Sequence, residues 1–531
     1  MKKIYKNGKI YIEKGYFAQA IYISDGIIKE IGKNEDILRY KADEIIDLEG
    51  KTMIPGLNDS HLHLTMMGAN MNACNLNEAR SIDEIISMGR EFLETNPDIK
   101  VLVGKGWNQN SFTSGEKRLL TRHDLDKIST QIPIVFDRVC IHVSVGNSLA
   151  LEILRADENT TIEGGEIQLG EDKRPNGIFS ENAVRYLQSI VPQKTKENIE
   201  KDFLKAMDYA VSLGLTSVQS CDVMGGDFKK VFEVINEIAK DEKLKLRYSH
   251  QFNFQEIEDF KEYLNKEHLN EVYDEKMYSK GALKLFKDGS LGARTALMKN
   301  GYNDAPSEKG VDALSDKKLY ELCKLASESN IRVITHAIGD EAVERVIDIY
   351  EDVMAGKNTL RHGIVHNQIT TRNQLERIRD LDIAVMYQPV FLLADIPIIE
   401  DRVGKELAST SYAFNTLYQM GAPVSFSTDA PVEDCNPFIN IFAAVNRTKL
   451  DLTPSGGYYP DEKMSVEDAI DAYTIKSAYN EFKEDFKGRL KEGYVADMVI
   501  LDRDIFTIDK SEIKDIKVIE TIVAGNTVYK A

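Results

Sequence analysis

Two histidines stand one residue apart in PGLNDSHLHL, residues 55–64, directly after an apolar run and a Pro-Gly turn. The chain has nine histidines in 531 residues, so the pairing of His61 with His63 asks for a reason. In an extended strand residues i and i+2 face the same side, about 7 Å apart, and two neutral imidazoles at that spacing can lean onto one cation. An HxH pair alone is equally compatible with packing or chance. Other metal-competent residues fall in comparable places. His336 closes IRVITH, His366 closes HGIVH, Asp429 closes PVSFSTD, and Lys284 lies in the apolar run GALKLF. One histidine at a strand end is usually a packed, hydrogen-bonded residue, and one aspartate is usually a cap or turn former. Agreement among separate strand ends is harder to obtain by accident. Imidazole and carboxylate suit zinc, with manganese, iron or nickel open. A divalent ion so held makes water acidic, and a nearby carboxylate can move the proton.

The elements that must position these residues are legible as alternation. Apolar strand-like runs, each followed in most cases by a helix-like stretch, occur at TMIPGLNDSHLH, GLTSVQSCDV, KLRYSHQF, GALKLFKDGS, IRVITHAIGD, RHGIVHNQ, IAVMYQPV and APVSFSTDAPV. Repeated βα units with buried strands fit a (β/α)8 TIM-like barrel, an α/β fold whose sites are built at the C-terminal strand ends. Between the first and second strands lie far more residues than a βα connection uses, which reads as a large mixed α+β insertion at about 68–200. Both chain ends read as short strands separated by Gly turns, too short to bury a core alone. The expected organisation is a composite β domain from residues 1–54 and 485–531, with the barrel over 55–484.

The bulk numbers exclude several classes. The net charge is −19, from 67 basic and 86 acidic residues, which argues against a nucleic-acid or anionic-membrane footprint. No apolar run is long enough to span a bilayer, and the N-terminal stretch lacks the apolar core of a signal peptide. Cys74, Cys140, Cys221, Cys323 and Cys435 are scattered, with no CxxC pair, which suits reduced thiols. The expected location is cytoplasmic. The expected partner is a small-molecule substrate, with neither nucleic acid nor membrane; a homodimer is left open.

Read in order, PGLNDSHLHL, KGWNQNSF, TRHDLDKISTQIPIVF, NSLAL, LKLFKDGSLGARTAL, THAIGDEAV, RHGIVH, STDAPVEDCNPF and KGRLKEGYVADMVILD resemble the amidohydrolase superfamily, and within it the YtcJ-like group, or amidohydrolase 3 family. The resemblance covers nearly the whole chain. It implies that His61 and His63 hold one metal ion and that His336 and His366 hold a second. Lys284 would be carboxylated and bridge the ions, and Asp429 would contact metal and shuttle protons. The two chain ends would form a small β-sandwich. The residues allow the lysine chemistry independently. Burial beside cations lowers an ammonium pKa, and the free amine can add carbon dioxide to become an anionic carbamate. An ordinary lysine paired with Asp288 is the plain alternative. Lys287, on the opposite strand face, is disfavoured as the bridge.

Some positions depart from the family pattern. Val365 precedes His366 where relatives have an acidic residue, and Ile141 precedes His142 where a glycine is usual. His142 is a substrate-binding candidate, as are Trp107, the only tryptophan, and Arg294, which could meet a substrate carboxylate; each has an equally good structural reading. The expected activity is metal-dependent hydrolysis of a carbon–nitrogen bond other than a peptide bond, in a small amide, an N-acyl or N-formyl compound or a cyclic amide. The alternatives are a one-metal deaminase, a hydrolase of another bond on the same fold, and a non-catalytic scaffold.

Overall fold

Eight of the apolar runs become strands buried along nearly their whole length, and they form one parallel sheet. The computed structural model describes residues 1–139, 143–162, 165–224, 228–265 and 274–531. The sheet is built from β1 (Leu57–Leu62), β2 (Leu215–Met224), β3 (Arg247–Asn253), β4 (Tyr278–Phe286), β5 (Val333–Ala337), β6 (Gly363–His366), β7 (Ala384–Tyr387) and β8 (Val424–Phe426). Each pairs in parallel with its sequence neighbour, for example Leu283 with Val333 and Gly363 with Ala384. Helices supply the outer layer through one apolar face. On Phe228–Lys240 that face is Phe228, Phe232, Ile235 and Ile238, at helical spacing. The Arg372–Asp380 helix starts at a capping box in which Thr371 and Gln374 satisfy each other's backbone N–H groups.

The ring closes between β8 and β1 through a seam of specific hydrogen bonds. Ser60 Oγ donates to the Phe426 carbonyl at 2.8 Å, Asp429 N–H to the His61 carbonyl at 3.0 Å, and His63 N–H to the Ala430 carbonyl at 2.7 Å. The same seam holds the HxH pair and Asp429, so the contacts that close the barrel are also those that bring the pair to Asp429.

Contacts divide the chain into two units, residues 1–64 with 206–531, and residues 65–205. The first unit contains the barrel and two further sheets. One has the strand order Ile27–Gly32, Ala20–Ser24, Lys2–Lys6, Glu44–Asp47; the other runs Asn526–Lys530, Val518–Val523, Met498–Leu501, Thr52–Pro55, Lys9–Glu13, Tyr16–Ala18. Met498–Leu501 lies antiparallel to Thr52–Pro55, which joins the two ends of the chain in one sheet. Tyr5, Ile10, Ile23, Met53, Met498 and Ile522 share a core there.

The second unit has a mixed six-stranded sheet ordered Gly165–Leu169, Pro175–Glu181, Val143–Gly146, Ile134–Arg138, Leu102–Trp107, Cys74–Asn75. The Ile82–Thr95 helix is N-capped by Ser81, whose side chain accepts from Glu84 N–H. Among the described residues, no helix is long and apolar enough to cross a membrane.

Candidate metal centre

β1 ends at Leu62 and turns His61 and His63 toward the barrel mouth. Both are buried, with ring centroids 5.2 Å apart. Each ring has one nitrogen committed. His61 Nδ1 lies 2.6 Å from Gln251 Oε1, and His63 Nδ1 lies 2.7 Å from the Cys221 carbonyl. Both partners are acceptors, so each Nδ1 carries the proton and each Nε2 keeps its lone pair. The two Nε2 atoms converge on Asp429 Oδ1 at 3.4 Å each. His61 Nε2 is buried without a hydrogen-bond partner.

Asp429 follows β8 and sits at φ 57°, in the left-handed region that non-glycine residues avoid. His366 shares the feature at φ 79°. Such backbone costs on the order of 1–3 kcal/mol and persists where the surroundings over-determine it. Burial alone would raise the Asp429 carboxyl pKa; the rings of His61 and His63, with His366, outweigh it and hold the acid well below its ordinary value. Burial pushes His61 down to about 4. It also opposes charge on His63, but the Asp429 carboxylate leaves that ring raised. Asp429 is therefore an anion facing imidazole nitrogens.

Lys284, on β4, is completely buried and its Nζ has no hydrogen-bond partner. The amine lies 3.5 Å from the centroid of the Phe286 ring. Burial lowers it to about 8, and it is near enough to feel Asp429. His336 and His366 meet ring to ring with centroids 4.4 Å apart. His366 Nδ1 lies 2.6 Å from Gln388 Oε1, which leaves Nε2 with its lone pair. Burial, then the neighbouring His336, push the His366 pKa well down. His336 Nε2 approaches the Gly289 carbonyl at 3.0 Å and Asp288 Oδ1 at 3.4 Å.

Among the described residues, His61, His63 and Asp429 offer donor atoms that all lie within 4.8 Å of one another. Neutral imidazoles, an anionic carboxylate and a buried nitrogen without a partner fit a divalent cation. The sequence matches the Amidohydrolase family over residues 44–529. The chain belongs to the amidohydrolase family. It is 33% identical to the putative amidohydrolase YtcJ of Bacillus subtilis (strain 168) over 537 residues, covering 100% of both chains. It is 24% identical to the N-substituted formamide deformylase of Arthrobacter pascens over 538 residues, covering 97% of this chain and 95% of the relative. The crystal structure of an uncharacterized metal-dependent hydrolase from Pyrococcus furiosus superimposes with a TM-score of 0.78 at 30% identity, covering 96% of this chain and 100% of that one. Family, fold and donor set agree on a metal-dependent amidohydrolase.

In this amidohydrolase several residues around the site carry no obvious signal in the sequence. Asp59 is fully buried and accepts from His61 N–H at 3.1 Å, Thr428 N–H at 3.1 Å and Thr428 Oγ1 at 2.6 Å, tying β1 to the segment after β8. Burial raises its pKa to about 7. Its place two residues before His61 was the only available hint. Gln251 and Gln388 end or follow strands, as the histidines do, but an amide alone suggests no metal chemistry. Phe391 stacks on His366 with centroids 5.8 Å apart.

Trp107 is fully buried in the core of the second unit, with its Nε1–H donated to the Phe136 carbonyl at 3.2 Å, so core packing accounts for it. Arg294 is committed to Asp304, at 3.2 and 2.7 Å. His142 lies outside the described residues. Asp288 does not pair with Lys284; its oxygens accept from the N–H groups of Leu297, Ile338 and Gly339. Lys287 is spent on Asp312 and Asp316, each at 2.6 Å.

Proposed function

We propose that this chain hydrolyses a carbon–nitrogen bond other than a peptide bond in a small amide, an N-formyl or N-acyl compound, or a cyclic amide. The observation that carries the reading is the convergence of two imidazole Nε2 atoms on one depressed-pKa carboxylate at the barrel mouth. The deformylase among the relatives makes N-substituted formamides the first class to assay. His61, His63 and Asp429 would hold one ion, and His336 and His366 a second, with zinc the first ion to try. When bound, a divalent ion supplies Lewis acidity and makes water acidic enough to react near neutral pH.

The chain's own groups do the rest. Gln251 and the Cys221 carbonyl hold the two rings with Nε2 presented. Asp429, anionic at neutral pH, accepts the proton of the attacking water and returns it to the departing nitrogen, first base and then acid. Lys284, lowered to about 8 by burial, keeps a free-amine fraction that can add carbon dioxide, forming a carbamate and releasing one proton. None of the described thiols is suited to act as a nucleophile: burial raises Cys74 to about 11, Cys221 to about 12, and Cys323 and Cys435 higher still. Cys74, Cys221, Cys323 and Cys435 are buried and not joined in disulfides, which suits a cytoplasmic setting.

A one-ion enzyme with unmodified Lys284 is the second reading. It is favoured by the three-residue donor group and by the engagement of His336 Nε2 with Gly289. Metal content per chain separates the two. The proton-transfer role is tested by Asp429→Asn, which should retain most bound metal and lose about 10²–10⁴-fold in kcat on a formamide or other accepted substrate. Turnover near that of the unmutated enzyme would remove Asp429 from the role.

A further inference from the structure

A buried guanidinium needs an account of its charge, because an isolated ion inside a protein is costly. Three arginines are buried among the described residues: Arg247, Arg332 and Arg447. Arg247 forks onto Asp497 at 2.6 and 3.0 Å, the usual solution. Arg447 clamps the carbonyls of Tyr458 and Tyr412. Arg332, just before β5, is 7% exposed. Its Nε donates to the Arg361 carbonyl at 2.6 Å and its Nη1 to the Asn480 carbonyl, while Nη2 meets the Met386 sulfur at 4.0 Å. A guanidinium has five N–H donors, so oxygen acceptors here satisfy fewer than half of them. Burial pulls its pKa down to about 10.

Arg332 also borders a cavity of about 360 Å³. Gln219, Ser249 and Lys280 contribute from the first halves of β2, β3 and β4, and Asn480 closes another side. The cavity therefore lies at the N-terminal end of the barrel strands, while His61 and Asp429 belong to the C-terminal end. Asn480 is fully buried, and its Oδ1 has no hydrogen-bond partner. Glu481 also lines the cavity, but its carboxylate is engaged by Lys487 Nζ at 2.6 Å and Asn58 Nδ2 at 2.7 Å. A volume near 360 Å³ is within the range of small-molecule sites. The lining thus joins a cation with spare donors to an acceptor lacking a donor.

We propose that this basal cavity is a second ligand site, for a small molecule bearing carboxylate or phosphate oxygens that face Arg332 and an N–H or hydroxyl that faces Asn480. The site is independent of the metal-centre reading. It is tested by calorimetric titration of the metal-loaded enzyme with inorganic phosphate and, separately, with succinate, which distinguishes the two sources of anionic oxygen. At least one should bind saturably at one site per chain. Arg332→Met should abolish that binding. Thr359→Asp, a change at an exposed residue of the cavity rim that adds negative charge without touching the core, should weaken it about tenfold or more, 1.4 kcal/mol. His61→Ala should leave it intact. Binding of neither anion, persistence in Thr359→Asp, or loss in His61→Ala overturns the proposal; if Arg332→Met fails to fold, Thr359→Asp carries the test.

Discussion

At His61 and His366 the ring is told which nitrogen to present. Each Nδ1 lies 2.6 Å from a glutamine Oε1, and each glutamine is itself tethered, Gln251 Nε2 to the Ser60 carbonyl and Gln388 Nε2 to the Met386 carbonyl and Ser427 Oγ. A neutral amide fixes tautomer and orientation without adding negative charge. Gln251→Leu and Gln388→Leu should each lower metal affinity about 10–100-fold in chelator competition, with the folded circular dichroism spectrum retained. Unchanged affinity would show that the rings need no such tether. The sequence made the histidines legible because HxH spacing and strand-end placement are unusual for a scarce residue. It left the glutamines silent, since an amide is ordinary anywhere in a chain. Asp59 was silent for another reason: its partner Thr428 is 369 residues away.

At the scale of elements, the eight strands were legible because buried βα strands write themselves as apolar runs with helix-patterned sequence between them. Even β8, only three residues long, was marked by the polar STD that follows its apolar residues. The seam between β8 and β1 had no local signature. Two other histidines belong to this scale. His250 on β3 is ringed by Phe232, Tyr248, Phe252 and Tyr278, and His362, just before β6, accepts from Val333 N–H at 2.9 Å. Burial lowers their pKa values to about 3 and about 4. Their unfolded counterparts titrate near 6.5. Above that pH both states are neutral and the stability is intact; as pH falls, the unfolded chain takes up protons that the fold refuses. Each histidine should then cost about 1.4 kcal/mol per pH unit down to its folded pKa. His250→Phe should flatten the loss between pH 6.5 and 4 by one proton's worth, read from urea unfolding at several pH values. An unaltered slope would acquit His250.

At the scale of the whole molecule, a ligand that binds only the native state adds RT ln(1 + [L]/Kd), about 4 kcal/mol at a thousandfold excess over Kd. Chelation should therefore lower the melting temperature of the unmutated enzyme, and His61→Ala should show a smaller drop, because one of its ions is already lost. Equal drops in both would mean that stability comes from an ion held elsewhere. The barrel was legible at this scale because its repeats are local. The sheet of the second unit was less so: parallel and antiparallel neighbours are mixed, and Val143–Gly146 skips Gly165–Leu169 to pair with Pro175–Glu181, an arrangement that no local pattern dictates.

The seam has a consequence for how the enzyme is made. Asp59 and Thr428 are joined across 369 residues, and His61 meets Asp429 over a similar span. Contacts so distant along the chain form late. With Asp429 in the proposed donor set, a ribosome must release residue 429 before that set is complete, so on this reading hydrolytic capacity cannot accumulate on partial chains and ion loading becomes a finishing step of biosynthesis.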